Sequence, residues 1–166
     1  MLHIRSGTDA DGAALIELIG KVFAEYDGCY LDVDGEMPEL RRPATRIAEE
    51  GGRFWVAERG GFIVGTISCR PAPLPGVMEL KRLYVQAEER RQGLARRLVW
   101  LVEDAARETR RPVIELWSDT RFTAAHRFYE RLGYRRGPER RFLHDISKTW
   151  EYHYWKRVGP VPPLFR

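Results

Sequence analysis

The sequence predicts an α/β fold: a single domain whose mixed, mostly antiparallel sheet of about seven strands is flanked by about four helices. Three observations predict it. Two apolar runs, Phe54–Glu58 and Phe62–Cys69, are joined by Gly60-Gly61, and primed hairpin turns need the positive φ that glycine supplies. An extended run ending Leu83-Tyr84-Val85 is followed by the most regular amphipathic pattern in the chain, with Leu94, Leu98, Leu101, Val102 and Ala105 on one helical face. A further strand, Val113–Trp117, and a further helix, 125–132, then repeat the alternation before a final pair of strands, 134–146 and 149–157.

Taken in order, Leu2–Ser6 reads as a short strand. Thr8 or Asp9 can cap a helix whose apolar face is Leu15, Leu18, Ile19, Val22 and Phe23. Asp27–Gly35 has two glycines and no helical period, so it reads as a loop, and a second helix is expected over Pro38–Glu50. Gly65 inside the second hairpin strand points to a bulge or a close backbone neighbour. Pro71–Gly76 is a stiff loop. The strand after it is unusual in carrying Glu79, Lys81 and Arg82 before turning apolar. Its first half must reach solvent or line a polar cleft, while its second half is expected to enter the core. Residues 1–158 are therefore read as one domain and 159–166 as a Pro-rich tail.

Length and composition fit that reading. The chain has 166 residues, 43% of them hydrophobic and 31% charged, enough for one domain with a real core. No apolar run is long enough to span a membrane, and the N-terminus does not read as a signal peptide. Cys29 and Cys69 read as reduced thiols of a cytoplasmic protein. Neither shares a metal-ligand spacing with the four histidines and there is no His-Glu-x-x-His, so no metal is expected. Charge is unevenly placed. Residues 1–80 hold 8 Lys and Arg against 13 Asp and Glu, a net −5, whereas residues 81–166 hold 20 against 11, a net +9.

The basic half contains Arg90-Arg91-Gln92-Gly93-Leu94-Ala95, with Arg96 and Arg97 following. Gly93 and Ala95 leave the first backbone N–H groups of the helix uncovered by side chains. Those donors, the helix dipole and the flanking arginines suit a phosphate-bearing ligand. Nucleic acid is a competing partner for a chain of pI near 9.3. The arginines are scattered, however, without a basic tail or a nucleic-acid motif, so no nucleic-acid partner and no membrane partner are expected.

Strand 79–85, the Arg-x-x-Gly-x-Ala helix start, strand 113–117 and the helix containing Phe128-Tyr129, closed by Gly133, follow one another in an order that resembles the GNAT superfamily of N-acetyltransferases. The resemblance covers about residues 76–134. It implies acetyl-CoA as cosubstrate and a small-molecule or peptide amine as acceptor, attacked directly in a ternary complex by a monomer or homodimer. It assigns the diphosphate to Arg90, Arg91, Gln92, Gly93, Leu94, Ala95 and Arg96, and the pantetheine arm to backbone groups of Leu83, Tyr84 and Val85. It also makes Tyr129 the acid that protonates the leaving thiolate. Glu79, 14 residues before Gly93, stands where some members place a catalytic base. Others use a water chain, and a cleft salt bridge from Glu79 to Lys81 or Arg82 is the alternative. Cys69 as an acyl carrier is a third option for the chemistry. Where many relatives have an asparagine seven residues before the tyrosine, this chain has Phe122, so that contact is absent or falls to Asp119, Thr120 or Thr123.

The segment between the first two helices borders the acceptor in that family. Here Val22–Leu40 carries six acids and no Lys or Arg. Tyr30, Asp32, Asp34 and Glu36, with Tyr26, are accordingly expected to attract an amine bearing more than one positive charge. A catalytically silent domain that binds acyl-CoA as a sensor or partner module is the alternative function.

Overall fold

The computed structural model describes residues 1–159. Apart from Gly159, the expected tail lies outside the described residues. Seven strands form one sheet in the order β1-β2-β3-β4-β5-β7-β6: β1 Leu2–Ser6, β2 Arg53–Arg59, β3 Phe62–Pro71, β4 Val77–Val85, β5 Val113–Asp119, β6 Arg135–Phe142 and β7 Trp150–Arg157. Every neighbouring pair is antiparallel except β4 and β5. The helices are α1 Gly12–Phe23, α2 Val33–Glu36, α3 Pro43–Glu49, α4 Leu94–Glu108 and α5 Thr123–Arg131. The mixed, mostly antiparallel sheet expected from the sequence is the one observed. Among the described residues, no helix is long and apolar enough to cross a membrane.

The sheet separates two apolar layers. On one face α4 and α5 cover β3, β4, β5 and β7. Leu98, Val99 and Val102 of α4 have no exposed surface. Burying each such side chain contributes roughly 1.5–3 kcal/mol. On the other face Leu15, Ile19 and Phe23 of α1 pack with Phe54 and Val56 of β2. The Gly60-Gly61 turn has φ of 59° and 83°, the positive values its sequence requires. The register between β2 and β3 shifts so that Val64, beside Gly65, is the extra residue.

The helical segments differ from the expectation in three places. Residues Asp9–Asp11 make a 3-10 turn, closed by the Thr8 N–H donating to Asp11 Oδ2 at 2.8 Å, and the α-helix begins only at Gly12. The expected loop contains one helical turn, α2, where Asp32 Oδ1 accepts the Gly35 N–H at 3.0 Å. The helix expected over Pro38–Glu50 is two pieces, a 3-10 turn Pro38–Arg41 and α3. Pro43 causes the break: the residue before a proline is pushed out of helical geometry, and Arg42 sits at φ −144°, ψ 64°.

Two irregularities in β4 shape the centre of the molecule. First, β4 and β5 are paired only over Val77–Glu79 and Val113–Glu115. Second, β4 bulges against β3: Thr66 pairs with Tyr84 and Ser68 with Lys81, so Arg82 and Leu83 both stand opposite Ile67. Arg82 takes φ 56° to do so. A bulge bends its strand and raises the local twist, and here the bent half of β4 leaves β5. The polar cleft that the sequence allowed for is lined by this strand, but burial within it is not divided as expected. Val77–Leu80 is buried, while Lys81–Tyr84 is half-buried because the parted strands open a cleft there.

Candidate active site

The cleft, about 250 Å³ in volume, lies in the opening between β4 and β5. Glu79, Leu80, Lys81, Arg82, Leu83 and Tyr84 of β4 form one wall, and Leu116–Asp119 of β5 the other. Leu80–Val85, which includes Leu83, Tyr84 and Val85, thus presents backbone groups that β5 does not pair.

Beyond Val85 the chain makes a 3-10 turn, Ala87–Glu89, and enters α4 through Gly93. The sequence reading placed Gly93 within the helix. It is instead the residue before it, at φ 82°, with nothing within 4 Å of where a Cβ would stand. An L side chain there is strained, and a side chain would fill the space above the first turn. The first N–H groups of α4 have no intrahelical partner by construction, and Leu94 takes part only through its backbone because its side chain is core. The flanking side chains divide by task. Arg90 braces the loop, donating from Nε to the Val85 carbonyl at 3.0 Å and from Nη2 to Glu25 at 2.8 Å. Gln92 donates to the Glu88 carbonyl, and Arg96 lies over the Trp100 ring. Arg91, Gln92, Gly93 and Arg96 are exposed.

Tyr129 reaches the cleft from α5 and is 6% exposed. Its ring packs against Phe128, Tyr134 and Tyr154, and its hydroxyl has no hydrogen-bond partner among the described residues. Burial, reinforced by Tyr84, pushes the phenol well above its ordinary value, so it keeps its proton across the physiological range. Glu79 is buried too. Its Oε2 accepts from Arg70 Nε at 3.0 Å, and Arg70 in turn meets Glu50 at 3.3 Å. The partner is therefore Arg70, not Lys81 or Arg82. Glu79 Oε1 has no partner among the described residues. Cys69 lies in the core away from the cleft, where burial pushes its thiol up to about 11, which removes it as an acyl carrier. Cys29, which the sequence left without a role, does line the cleft.

The wall expected to meet the acceptor is built by two segments far apart in sequence. Tyr30, Asp32, Glu36 and Met37 line it together with Leu143, Asp145, Ser147 and Thr149 from the β6–β7 loop. The Tyr30 N–H donates to Ser147 Oγ at 2.8 Å, and the Ile146 N–H donates to Glu36 Oε1 at 2.8 Å. Asp34 is not part of this wall. It is exposed and paired with Arg41 at 3.2 Å. Nor is the acidic segment uncompensated, as its own sequence suggested. Arg90 meets Glu25 and Arg82 meets Glu39 at 2.7 Å, so three of its six acids are neutralised from elsewhere. At the position of the usual asparagine, Phe122 stacks on Tyr26 with ring centroids 4.7 Å apart. Asp119 lines the cleft next to it, bound to the Arg121 N–H at 2.9 Å, and burial raises its carboxyl.

Residues 19–134 match the profile described as Acetyltransferase (GNAT) family. The chain belongs to that family. It is 32% identical over 123 residues to a mouse (Mus musculus) protein named "Probable N-acetyltransferase family 8 member 5", covering 72% of this chain and 52% of that protein. The chain thus spans about half the length of the curated relative it matches. Its fold is similar to a GNAT-family acetyltransferase from Staphylococcus aureus Mu50, with a TM-score of 0.81 at 22% identity over 95% of this chain and 99% of the other. It is also similar to the PaiA N-acetyltransferase of Thermoplasma acidophilum in complex with coenzyme A, with a TM-score of 0.74 at 17% identity over 95% and 99%. In this GNAT chain, the splayed strands and Tyr129 meet at one cleft, and β4 runs on from it toward the Gly93 helix start.

Proposed function

We propose that this chain transfers an acetyl group from acetyl-CoA to an amine, by direct attack within a ternary complex. One observation carries the reading: a cleft opens where β4 and β5 part, and Tyr129, whose hydroxyl has no partner among the described residues, lines it, while the β4 strand that forms its wall leads on into the uncovered start of α4. The residues fit the cosubstrate. The space at Gly93 and the free N–H groups of α4, with Arg91 and Arg96 beside them, suit a diphosphate. Backbone groups of Leu83, Tyr84 and Val85 suit the amides of the pantetheine arm as an added strand would. When bound, acetyl-CoA supplies an activated acyl group.

The protein's own contribution is proton management and placement. An alkyl ammonium has a pKa of roughly 10 and must lose a proton before its nitrogen attacks. Glu79, anchored through Oε2 by Arg70 and lining the cleft, keeps Oε1 without a partner among the described residues to receive that proton, directly or through water. Tyr129 holds a proton that it can give to the departing sulfur. Packing of the ring against Phe128 and Tyr134 fixes where the phenol stands. Tyr30, Asp32 and Glu36 border the acceptor. With Glu25, Asp34 and Glu39 paired to arginines, the support for a polycationic acceptor is gone.

Calorimetry with acetyl-CoA, followed by thiol release over a panel of amines, tests the reading. Binding with release supports it. Binding without release for any amine returns the chain to the silent acyl-CoA-binding module.

A further inference from the structure

Resting on the acetyl-transfer reading, the charges inside the cleft identify the class of acceptor. Six carboxylates line it, and each already has a partner. Arg70, Arg121 and Arg141 hold Glu79, Asp119 and Glu151. Asp32, Glu36 and Asp145 accept backbone N–H groups. Of the three cations lining the same space, Arg82 is paired with Glu39 and Arg141 with Glu151. Lys81 is the exception. Its ammonium has no hydrogen-bond or ion-pair partner among the described residues, although the side chain is half-buried in the cleft wall.

An unpaired ammonium drawn out of water is costly unless an anion joins it. The site makes the cost larger. Burial, and then the neighbouring guanidinium groups of Arg82 and Arg70, outweigh the smaller attraction of Glu79 and Glu50 and hold the Lys81 ammonium below the ordinary lysine value. A carboxylate arriving there relieves both effects. Lys81 also stands two residues from Glu79 in β4, before the bulge, so the two side chains share a face of the strand. The spacing between such residues is roughly 7 Å. One molecule carrying both an amine and a carboxylate can therefore meet both groups.

We infer that the acceptor is a zwitterionic amine of the amino-acid type, whose carboxylate is seated by Lys81 while its amine faces Glu79. The amine nitrogen bonds to the acetyl carbon as the carbon–sulfur bond of the thioester breaks. Of the two protons the ammonium loses, one leaves through Glu79 to solvent and one is balanced by the proton that the departing coenzyme A thiolate takes up, so the product keeps the carboxylate and loses the positive charge.

The test compares each L-amino acid of a panel with its decarboxylated amine, such as phenylalanine with phenethylamine and leucine with isoamylamine. Wild type is expected to favour the amino acid in kcat/KM by roughly tenfold or more, chiefly through KM. Lys81→Met should shrink that ratio by roughly tenfold, and Lys81→Arg should restore part of it. Calorimetric titration of phenylalanine into protein saturated with coenzyme A gives a readout without turnover, and Lys81→Met should weaken it. Thermal melts confirm that the variants fold. Equal or better use of decarboxylated amines or polyamines by wild type overturns the inference, as does an unchanged ratio in Lys81→Met. Acetyl-CoA binding without thiol release from any amine overturns the transfer reading, and this inference falls with it.

Discussion

Glu79 and Glu115 form the last rung of the parallel ladder between β4 and β5, and the strands part immediately beyond it. Two facing carboxylates do not attract, and each finds its partner elsewhere: Glu79 binds Arg70 and Glu115 meets His153 Nε2 at 3.0 Å. The opening of the cleft and the placement of its candidate base therefore occur at one point in the sheet. Glu79→Gln preserves volume and keeps an acceptor for Arg70. It is expected to lower turnover roughly 10²-fold while leaving acetyl-CoA affinity nearly unchanged. If the melting temperature falls while kcat holds, Glu79 serves only its ion pair.

Tyr129→Phe removes one hydroxyl that has no partner to lose, so stability should be almost unaffected. Turnover should fall by roughly 10²-fold, the scale of one general acid. The raised phenol makes a further statement about pH. Because the folded group titrates far above neutrality, its ionisation should impose no activity limb below about pH 10. A limb in wild type below that value that vanishes in Tyr129→Phe contradicts the assignment.

The left-handed backbone of Gly93 suggests a charge test that avoids strain. Asn and Asp enter this region more readily than other L residues, so Gly93→Asn and Gly93→Asp form a matched pair. The aspartate stabilises the start of α4 by capping and by the dipole, and Gly93→Asp should melt no lower than Gly93→Asn. Acetyl-CoA affinity should move the other way, roughly tenfold weaker in Gly93→Asp, because its carboxylate repels the diphosphate. Equal affinities place the phosphates elsewhere.

How much was legible depended on whether the cause was local. The hairpin, α4 and the Gly93 helix start follow from turn chemistry and a 3.6-residue period, and both act within a few positions of sequence. Glu79, Lys81 and Arg82 in an otherwise apolar strand signalled a polar cleft for the same reason. The acceptor wall did not show itself, because Tyr30 and Ser147 are 117 positions apart when they bond. The neutralising arginines 41, 82 and 90 were hidden similarly, two of them reaching the acidic segment from β4 and the loop before α4. No propensity marks Arg82 for a positive φ. The bulge is imposed by the register of β3 with β4.

Acid should find a weak point at Asp11. Its carboxylate accepts from Arg5 at 2.8 and 2.9 Å and from the Thr8 N–H, and its side chain is 9% exposed. The Arg5 hydrogen bonds, against the opposing effect of burial, hold its carboxyl below the usual value. A depressed folded value stabilises the protein above the unfolded pKa near 4, and that contribution disappears as pH falls through the lower folded value. Asp11→Asn should cost about 2 kcal/mol at pH 7 and much less at pH 2.5, as read by urea unfolding at both. An equal cost at the two values means that packing, not charge, fixes Asp11.

Restoring an asparagine at 122 sets two local effects against each other. Phe122 is the residue before α5, and it supplies no side-chain cap. Asparagine is among the best residues for that position, worth about 1 kcal/mol. Against this stands the lost ring, which packs on Tyr26 at 4.7 Å and on Phe23 at 6.4 Å. Such aromatic pairs contribute about 0.5–1.5 kcal/mol each beyond their buried area, and the half-buried ring adds roughly another 1 kcal/mol of burial. The packing loss exceeds the cap, leaving a net cost of about 1–3 kcal/mol and a melting temperature lower by roughly 2–12 °C. Amide hydrogen exchange separates the two contributions. Protection should rise in the first turn of α5, where the new cap acts, and fall between Phe23 and Tyr26, where the stack is lost. A higher melting temperature in Phe122→Asn means that the cap outweighs the stack, and the ring is then not what fixes this wall of the cleft.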